Sequence, residues 1–385
     1  MNDIKISILM PTYNDSQTIS EALDSIKSQT YDNYEVLICN DGSTDDTEQI
    51  VKNYIKSNDL EEKFIYLRQE NSDQLNALKK AFSLSDGDYI YILHSDDVFD
   101  DSDVLRKLVE DCKKNPHIEA FMPSEIPVID KTSKYVRVMK IRNYNRRRNY
   151  IKELLLSGGS QLFVDMALFK RDAFQNDVFY NYLTWNRPFW ANIEQKRCLD
   201  VKRLEYPTFK YRIFENNYVA SELGLICHYN GVIRTLIDAS EYYFLPFYNV
   251  QKFLYKCFNR LKWYKLINVV ACDKKTKNKV RLLTKNLPKE LWNYSYYCAI
   301  LNFYKNCDMD RCLDLSNIPD NVFLGSDMRK FNKLMLKNEL PEFYVNFMKE
   351  MDLGFNKITC KKTDRKKIDE LLHFFCIKNV LIDEK

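Results

Sequence analysis

Apolar and polar positions alternate along the first part of the chain in blocks that predict strands and helices in turn. Short runs rich in Ile, Val, Tyr and Leu predict buried strands at residues 5–10, 34–39, 64–67 and 89–93. Between these runs apolar residues recur at helical spacing, first at Ile19, Ala22, Leu23 and Ile26. Ser43 and Asp46 predict a capping box before the second helix. Because strand and helix alternate, we predict an α/β fold with a mostly parallel central sheet and flanking helices.

A polar segment lies directly or shortly after each of the four predicted strands. The segments are Pro-Thr-Tyr-Asn at 11–14, Asn-Asp-Gly-Ser at 40–43, Glu-Asn-Ser-Asp-Gln at 70–74 and His-Ser-Asp-Asp at 94–97. In an open α/β sheet the carboxyl ends of parallel strands meet at one edge, and ligands bind there. We therefore expect these four segments to build one binding crevice.

The residue types in this crevice suit a nucleotide and a divalent cation. Tyr13 offers a ring for stacking against a base, and Asp41 offers a carboxylate that can accept the N–H of a uracil ring. Ser95, Asp96 and Asp97 supply hard oxygen atoms, which suit Mg²⁺ or Mn²⁺ bridging two phosphates. Local structure offers alternatives, since Asn-Asp-Gly-Ser is also an ordinary turn and Asp96-Asp97 could cap the next helix.

The order and spacing of these segments resemble glycosyltransferase family 2, whose members are inverting nucleotide-sugar transferases with the GT-A fold. The matching segments are 11–14, 41–47, 71–78 and 87–97. The resemblance is dense over residues 4–114 and loose over 150–221, and we recognise no family beyond about residue 235. It implies a Rossmann-like GT-A domain in residues 1–235. We predict that residues 236–385 form a mostly α-helical, basic and aromatic-rich C-terminal domain.

The resemblance also implies roles for individual side chains of the crevice. Asp41 would bind the uracil, and Asp96 would hold Mn²⁺ or Mg²⁺ on the diphosphate, with His94 or Asp97 as a further metal ligand. The other nucleotide-sugar contacts are expected from Pro11, Thr12, Tyr13, Asn71, Gln74 and Ser95. The donor would be a UDP-sugar that carries a hexose or N-acetylhexosamine. The acceptor would be a glycan precursor, a lipid-linked glycan or a protein.

Several chemically active positions of the family pattern are altered in this chain. His94 replaces the first aspartate of the Asp-x-Asp metal motif, and Trp185-Asn186 stand where the Glu-Asp base motif is expected. The histidine of a late Tyr-Arg-x-His motif is also lost. Because Asn cannot take up a proton at neutral pH, another carboxylate must serve as the base, and the candidates are Glu194 and Asp165. A second hypothesis is a catalytically degenerate GT-A-like binding or scaffold subunit of a glycan assembly system.

Charge is distributed unevenly along the chain. Residues 241–385 carry a net charge of +10, and residues 1–240 carry −6. The basic part is also rich in Tyr, Phe and Trp, for example at 242–248 and 292–297. Such a surface suits an anionic membrane or a lipid-phosphate carrier, or else the aromatic side chains form the core of a helical domain. The basic stretch Arg137–Lys152 is either an arm over the diphosphate or an acceptor phosphate, or a solvated loop; its cationic residues include Arg142, Arg146, Arg147, Arg148 and Lys152.

Composition disfavours several other classes of protein. No stretch approaches about 18 uninterrupted apolar residues, so we expect no membrane-spanning helix. The absence of a charged and apolar leader after Met1 argues against secretion. The 11 cysteines are scattered without Cys-x-x-Cys pairs, which favours reduced thiols and a cytoplasmic location. Peripheral contact with the inner face of a membrane and a homo-oligomer stay open. No nucleic-acid-binding module is recognisable.

Overall fold

The computed structural model describes residues 3–72, 74–140, 167–173, 200–214, 311–319, 330–331, 333–334, 337, 339–353, 355–375, 377 and 380–385. The chain divides into two compact units. The first is Met1–Leu154 with Ser160–Asn217, and the second is Leu155–Gly159 with Tyr218–Lys385. The domain boundary at residue 235 stays a prediction.

The first unit contains eleven strands among its described residues. They are β1 (Ile6–Thr12), β2 (Tyr34–Asn40), β3 (Phe64–Arg68), β4 (Tyr89–Ile92), β5 (Val98–Phe99), β6 (Ala120–Pro123), β7 (Glu125–Ile129), β8 (Tyr135–Lys140), β9 (Leu168–Lys170), β10 (Val201–Leu204) and β11 (Phe209–Arg212). The central sheet has the order β10-β6-β9-β4-β1-β2-β3, and β9 runs antiparallel to both of its neighbours. A second sheet has the order β5-β11-β7-β8. The prediction of a mostly parallel central sheet is confirmed.

Four helices of this unit pack against the sheet through apolar stripes. They are α1 (Ile19–Lys27), α2 (Thr47–Ser57), α3 (Gln74–Leu84) and α4 (Val104–Lys114). The predicted capping box is wrong, because Asp46 precedes α2 without a side-chain cap hydrogen bond. The Ser43 hydroxyl oxygen instead accepts the backbone N–H of Asn14 at 3.0 Å. Ser43 therefore joins the loops after β1 and β2 and does not cap α2.

The strand order brings the four polar segments to one edge of the sheet. β1 pairs with β2 over its whole length and with β4 on its other side, while β3 pairs with β2. The chain thus passes from β1 to β2 and β3 in one direction and then returns to β4 on the opposite side of β1. Such a reversal opens a crevice between the loops that follow β1 and β4.

A polar network holds the opposite edge of the sheet, at the amino ends of the strands. The Glu35 carboxylate accepts hydrogen bonds from the Ser7 hydroxyl and from the backbone N–H of Asp86. A Cβ on Gly87 would lie 2.6 Å from the backbone nitrogen of Ser7. Arg171 donates to the carbonyl oxygen of Gly87. The Gly-Asp-Tyr segment that matches the family pattern therefore joins β1 and β4 at the edge of the sheet that is remote from the crevice.

The described part of the second unit includes a parallel three-stranded sheet and two α-helices. They are β12 (Cys312–Asp314), β13 (Lys357–Cys360), β14 (Leu381–Glu384), α5 (Glu342–Leu353) and α6 (Arg365–Phe374). The sequence predicts a mostly α-helical domain here; the described residues are partly helical, and the small sheet is an addition that the sequence did not indicate.

Aromatic side chains form a core in this second unit. The buried rings are Phe331, Tyr344, Phe347, Phe355, Phe374 and Phe375. Neighbouring ring centroids lie between 4.9 and 6.5 Å apart, mostly edge to face. For these residues the aromatic content is explained by packing, whereas the clusters at 242–248 and 292–297 lie outside the described residues. No helix in the described ranges is long and apolar enough to cross a bilayer.

Candidate nucleotide-sugar site

The loops that follow β1 and β2 are joined through residues of the predicted motifs. Asn14 has a φ of 58°, a left-handed conformation that Asn tolerates better than most residues. Its Oδ1 accepts the backbone N–H of Thr44 at 2.8 Å, and its own N–H donates to Ser43. The backbone N–H of Asp15 donates to the Thr47 hydroxyl oxygen at 2.9 Å. Several motif residues therefore hold the rim of the crevice together.

Asp41 lies directly after β2 and is only 2% exposed. Its Oδ1 accepts hydrogen bonds from Gln69 Nε2 at 2.8 Å and from the backbone N–H of Ser72 at 2.9 Å. The next residue, Gly42, has a φ of 74°, and a Cβ there would lie 2.7 Å from the backbone nitrogen of Asn71. Only glycine lets the loop after β3 approach this closely and reach Asp41.

Asp15 connects the loop after β1 to the loop after β4. Its Oδ2 accepts hydrogen bonds from the Thr12 hydroxyl at 2.9 Å, from the backbone N–H of Tyr13 at 3.0 Å and from the Ser95 hydroxyl. Ser95 Oγ also lies 3.2 Å from the carbonyl oxygen of Pro11. The family pattern assigns no role to Asp15, although its position directly after the Pro-Thr-Tyr-Asn segment places it at the same edge of the sheet.

Gln74 and His94 come from separate segments, and the structure brings them together. Gln74 is the first residue of α3, and its Nε2 lies 3.0 Å from Nδ1 of His94. Asn71 is exposed on the loop before α3. Tyr13 is 39% exposed, so its ring is accessible to a ligand, as base stacking requires. The predicted nucleotide contacts thus lie on neighbouring loops of one crevice.

Asp96 is half-buried in the loop after β4. The pKa of its carboxyl group is raised to about 6, chiefly by burial and in part by the Asp15 carboxylate, although His94 and Arg212 act to lower it. The neighbouring Asp97 is 1% exposed, and its Oδ1 accepts the backbone N–H of Arg212 in β11 at 2.8 Å. This contact gives Asp97 a structural role, and its assignment as a metal ligand stays a prediction.

In the part of the chain that the structure describes, no three His, Cys, Asp or Glu side chains converge closely enough to hold a metal ion by themselves. A cation that binds together with a nucleotide needs fewer, because phosphate oxygens complete its coordination shell. Asp96 supplies a carboxylate and His94 an imidazole within one loop. This donor set fits Mn²⁺ better than Mg²⁺, since Mg²⁺ prefers oxygen ligands.

The candidate general bases Glu194 and Asp165 lie outside the described residues. The same holds for Trp185-Asn186 and for residues 141–152 of the basic stretch. Their predicted roles stay predictions. What the structure describes is the part of the crevice for which we predict nucleotide contacts.

Comparison with known proteins agrees with this arrangement. Residues 7–178 match the family model for glycosyl transferase family 2. This segment belongs to glycosyltransferase family 2. Poly-beta-1,6-N-acetyl-D-glucosamine synthase of Staphylococcus epidermidis is 37% identical over 115 residues, which are 30% of this chain and 27% of that protein. Glycosyltransferase GlyA of Streptococcus pneumoniae is 33% identical over 111 residues, or 28% of this chain and 16% of that protein. The chain thus spans 27% or less of the length of these two relatives.

Solved structures share the fold of this family 2 domain. S. aureus TarS 1-349 in complex with UDP-GlcNAc has a TM-score of 0.50 and 14% identity, and the match covers 90% of this chain and 91% of that one. A longer TarS structure also has a TM-score of 0.50 with 14% identity, over 96% of this chain and 55% of that one. At this identity the likeness shows the fold alone, and that fold is GT-A-like, as predicted.

Proposed function

We propose that the chain is a metal-dependent inverting glycosyltransferase that moves a hexose or N-acetylhexosamine from a UDP-sugar to a glycan precursor, a lipid-linked glycan or a protein. The observation that carries this proposal is the placement of two carboxylates at the point where the strand order reverses. Asp41 follows β2 on one side of β1, and Asp96 follows β4 on the other side. A nucleotide diphosphate needs one such group for its base and one for the cation on its phosphates.

N-acetylhexosamine is the transferred sugar that we favour. The relative from S. epidermidis is named for a polymer of N-acetyl-D-glucosamine, and it is 37% identical to this chain over 115 residues. UDP-N-acetylglucosamine is therefore the first donor to test. The acceptor stays open among the three classes named above.

In the proposed reaction an acceptor hydroxyl attacks the anomeric carbon while the bond from that carbon to the diphosphate oxygen breaks. The hydroxyl proton passes to a carboxylate base, for which we propose Glu194 or Asp165. Asp41 accepts the N–H of the uracil and thereby fixes the nucleotide. Asp96 and His94 would hold the divalent cation, which when bound offsets the negative charge on the leaving diphosphate.

Binding of a panel of UDP- and GDP-sugars, with Mn²⁺ or with EDTA, tests this proposal. We expect UDP-sugars to bind in the presence of Mn²⁺ and to be hydrolysed slowly without an acceptor. Asp96→Asn should abolish the Mn²⁺ stimulation because a hard anionic ligand is lost. Asp86→Asn is the matched control, since Asp86 lies at the opposite edge of the sheet.

A further variant tests the His94 substitution. His94→Asp should keep the metal dependence and improve the use of Mg²⁺, because a carboxylate suits that ion better than an imidazole. UDP affinity that does not respond to EDTA would contradict the role of the metal. Preferential binding of GDP-sugars would contradict the assignment of the donor.

A further inference from the structure

Arg212 ends β11 and is among the largest fully buried side chains, with 1% exposure. An arginine keeps its charge at neutral pH, so burial is tolerated only where its N–H donors find acceptors. A buried arginine therefore requires that several elements place hydrogen-bond acceptors around its guanidinium group.

The guanidinium of Arg212 contacts three separate parts of the first unit. Its Nε donates to the carbonyl oxygen of Asp96 at 2.7 Å. Its Nη1 donates to the Ser133 hydroxyl oxygen at 2.8 Å and to the carbonyl oxygen of Asp130 at 3.3 Å, both in the turn between β7 and β8. Its Nη2 forms an ion pair with Glu21 of α1 at 2.6 Å. The Ser133 hydroxyl also donates to Glu21, which closes the network.

Two contacts of Arg212 act on the loop of the candidate cation site. One is the hydrogen bond from Nε to the Asp96 carbonyl oxygen, and the other is the hydrogen bond from its backbone N–H to Asp97 Oδ1. Together they hold the loop at two successive residues, through the backbone of Asp96 and the side chain of Asp97. A carboxylate carried by a fixed backbone is preorganised for its ligand, because less freedom is lost on binding.

We propose that Arg212 is the positioning residue of the cation-binding loop and that Glu21 on α1 holds its guanidinium in place. The inference rests on the proposed function, since it names what keeps Asp96 in position for a cation and a diphosphate. Arg212 acts through the loop and not on the substrate, because its side chain is buried among protein acceptors.

The chain offers a matched control for the test. Arg171 is half-buried, and it likewise donates to a backbone carbonyl oxygen, that of Gly87, and to a hydroxyl oxygen, that of Ser85, but at the opposite edge of the sheet. We would compare Arg212→Met and Arg212→Lys with Arg171→Met. Glu21→Gln removes the charge partner from a residue whose side chain is 47% exposed, so it keeps the test possible if Arg212→Met does not fold.

Hydrogen–deuterium exchange of the ligand-free full chain measures the position of the loop directly. The backbone N–H of Asp97 donates to the carbonyl oxygen of His94 at 3.1 Å, and it should exchange faster in Arg212→Met and Glu21→Gln than in the wild type. Arg212→Lys should exchange at an intermediate rate. Unchanged exchange in both Arg212→Met and Glu21→Gln would overturn the inference. Equal acceleration in Arg171→Met would also overturn it, because the effect would then be a general loss of stability.

The second readout is the ratio of UDP affinity with Mn²⁺ to UDP affinity with EDTA. This ratio should fall by about 10–100-fold in Arg212→Met, as for other residues that orient metal ligands, and recover in part in Arg212→Lys. It should be unchanged in Arg171→Met. A mobile loop with an unchanged ratio would overturn the inference. A wild type that binds no UDP with Mn²⁺ would contradict the proposed function, while the exchange rates would still decide whether Arg212 positions the loop.

Discussion

Asp41 combines a structural contact with the predicted recognition of uracil. Its Oδ1 accepts hydrogen bonds from Gln69 and from the backbone of Ser72, so Asp41→Ala would also disturb the loop after β3. An asparagine at this position can accept the same two bonds through its amide oxygen. It lacks the charge that makes a carboxylate a strong acceptor for a base N–H. Asp41→Asn therefore separates the two roles.

We predict that Asp41→Asn lowers UDP affinity by about 1–3 kcal/mol, the value of a charge-assisted hydrogen bond. It should also lower the ratio of UDP affinity to CDP affinity, because an amide N–H can donate to the unprotonated ring nitrogen of cytosine. Calorimetric titration with both nucleotides measures this. Asp59→Asn, in the exposed turn after α2, is the control. An unchanged ratio of the two affinities would contradict the role of Asp41.

The enzyme hypothesis requires a functional general base, whereas the scaffold hypothesis does not. If the chain is active, Glu194→Gln or Asp165→Asn should lower turnover by about 10²–10⁴-fold with little change in UDP-sugar affinity. Asn186→Asp restores a carboxylate at the position where the family has one. Steady-state rates and donor affinities of these three variants are the measurement. A wild type that binds donor without transfer or hydrolysis, together with hydrolysis gained in Asn186→Asp, would favour the scaffold hypothesis.

At the scale of elements, two glycines allow close approaches at opposite edges of the central sheet. Gly42 brings the loop after β3 against the end of β2, and Gly87 brings the start of β4 against β1. In both cases a Cβ would lie less than 3.0 Å from a backbone nitrogen, which cannot move aside as the end of a flexible side chain can. Substitution of each glycine in turn therefore distinguishes a loss of UDP binding at the crevice from a general loss of stability.

Gly42→Ala and Gly87→Ala should each lower the free energy of unfolding by about 1–3 kcal/mol, because the added methyl group overpacks a close contact. Only Gly42→Ala should also weaken UDP binding, since it moves the loop after β3 away from Asp41. Urea unfolding gives the stabilities, and titration at a temperature where both variants are folded gives the affinities. An equal loss of affinity in the two variants would show a general effect of instability.

At the scale of the whole chain, the basic C-terminal part predicts contact with an anionic surface. We expect the full chain to sediment with vesicles that contain anionic lipid, and to do so less at high salt. Replacing the exposed residues Lys361, Lys362 and Lys366 with Gln should weaken binding by up to about 1 kcal/mol per lysine near the surface. Replacing Lys56, Lys79 and Lys114 of the first unit with Gln is the control. Equal binding to neutral vesicles would contradict this prediction, and light scattering would then test for assembly.

The type and order of the first four strands and of the helices between them, and the edge that carries the candidate site, could be predicted from the sequence. The apolar runs at 34–39 and 64–67 became β2 and β3 within one residue of the predicted ends. These features are local, because the period of apolar residues reports which side of an element is buried. The position of the crevice followed from one general rule, since the carboxyl ends of parallel strands share an edge.

Only the tertiary structure decided which polar groups meet. Arg212 contacts Asp96 and Glu21 across 116 and 191 residues of chain, and Gln74 reaches His94 from another loop. Ser43 had the pattern of a helix cap, yet its hydroxyl oxygen accepts the N–H of Asn14 in a neighbouring loop. Local pattern cannot determine such partners, because a polar side chain binds whichever donor or acceptor the packed strands bring within hydrogen-bonding distance.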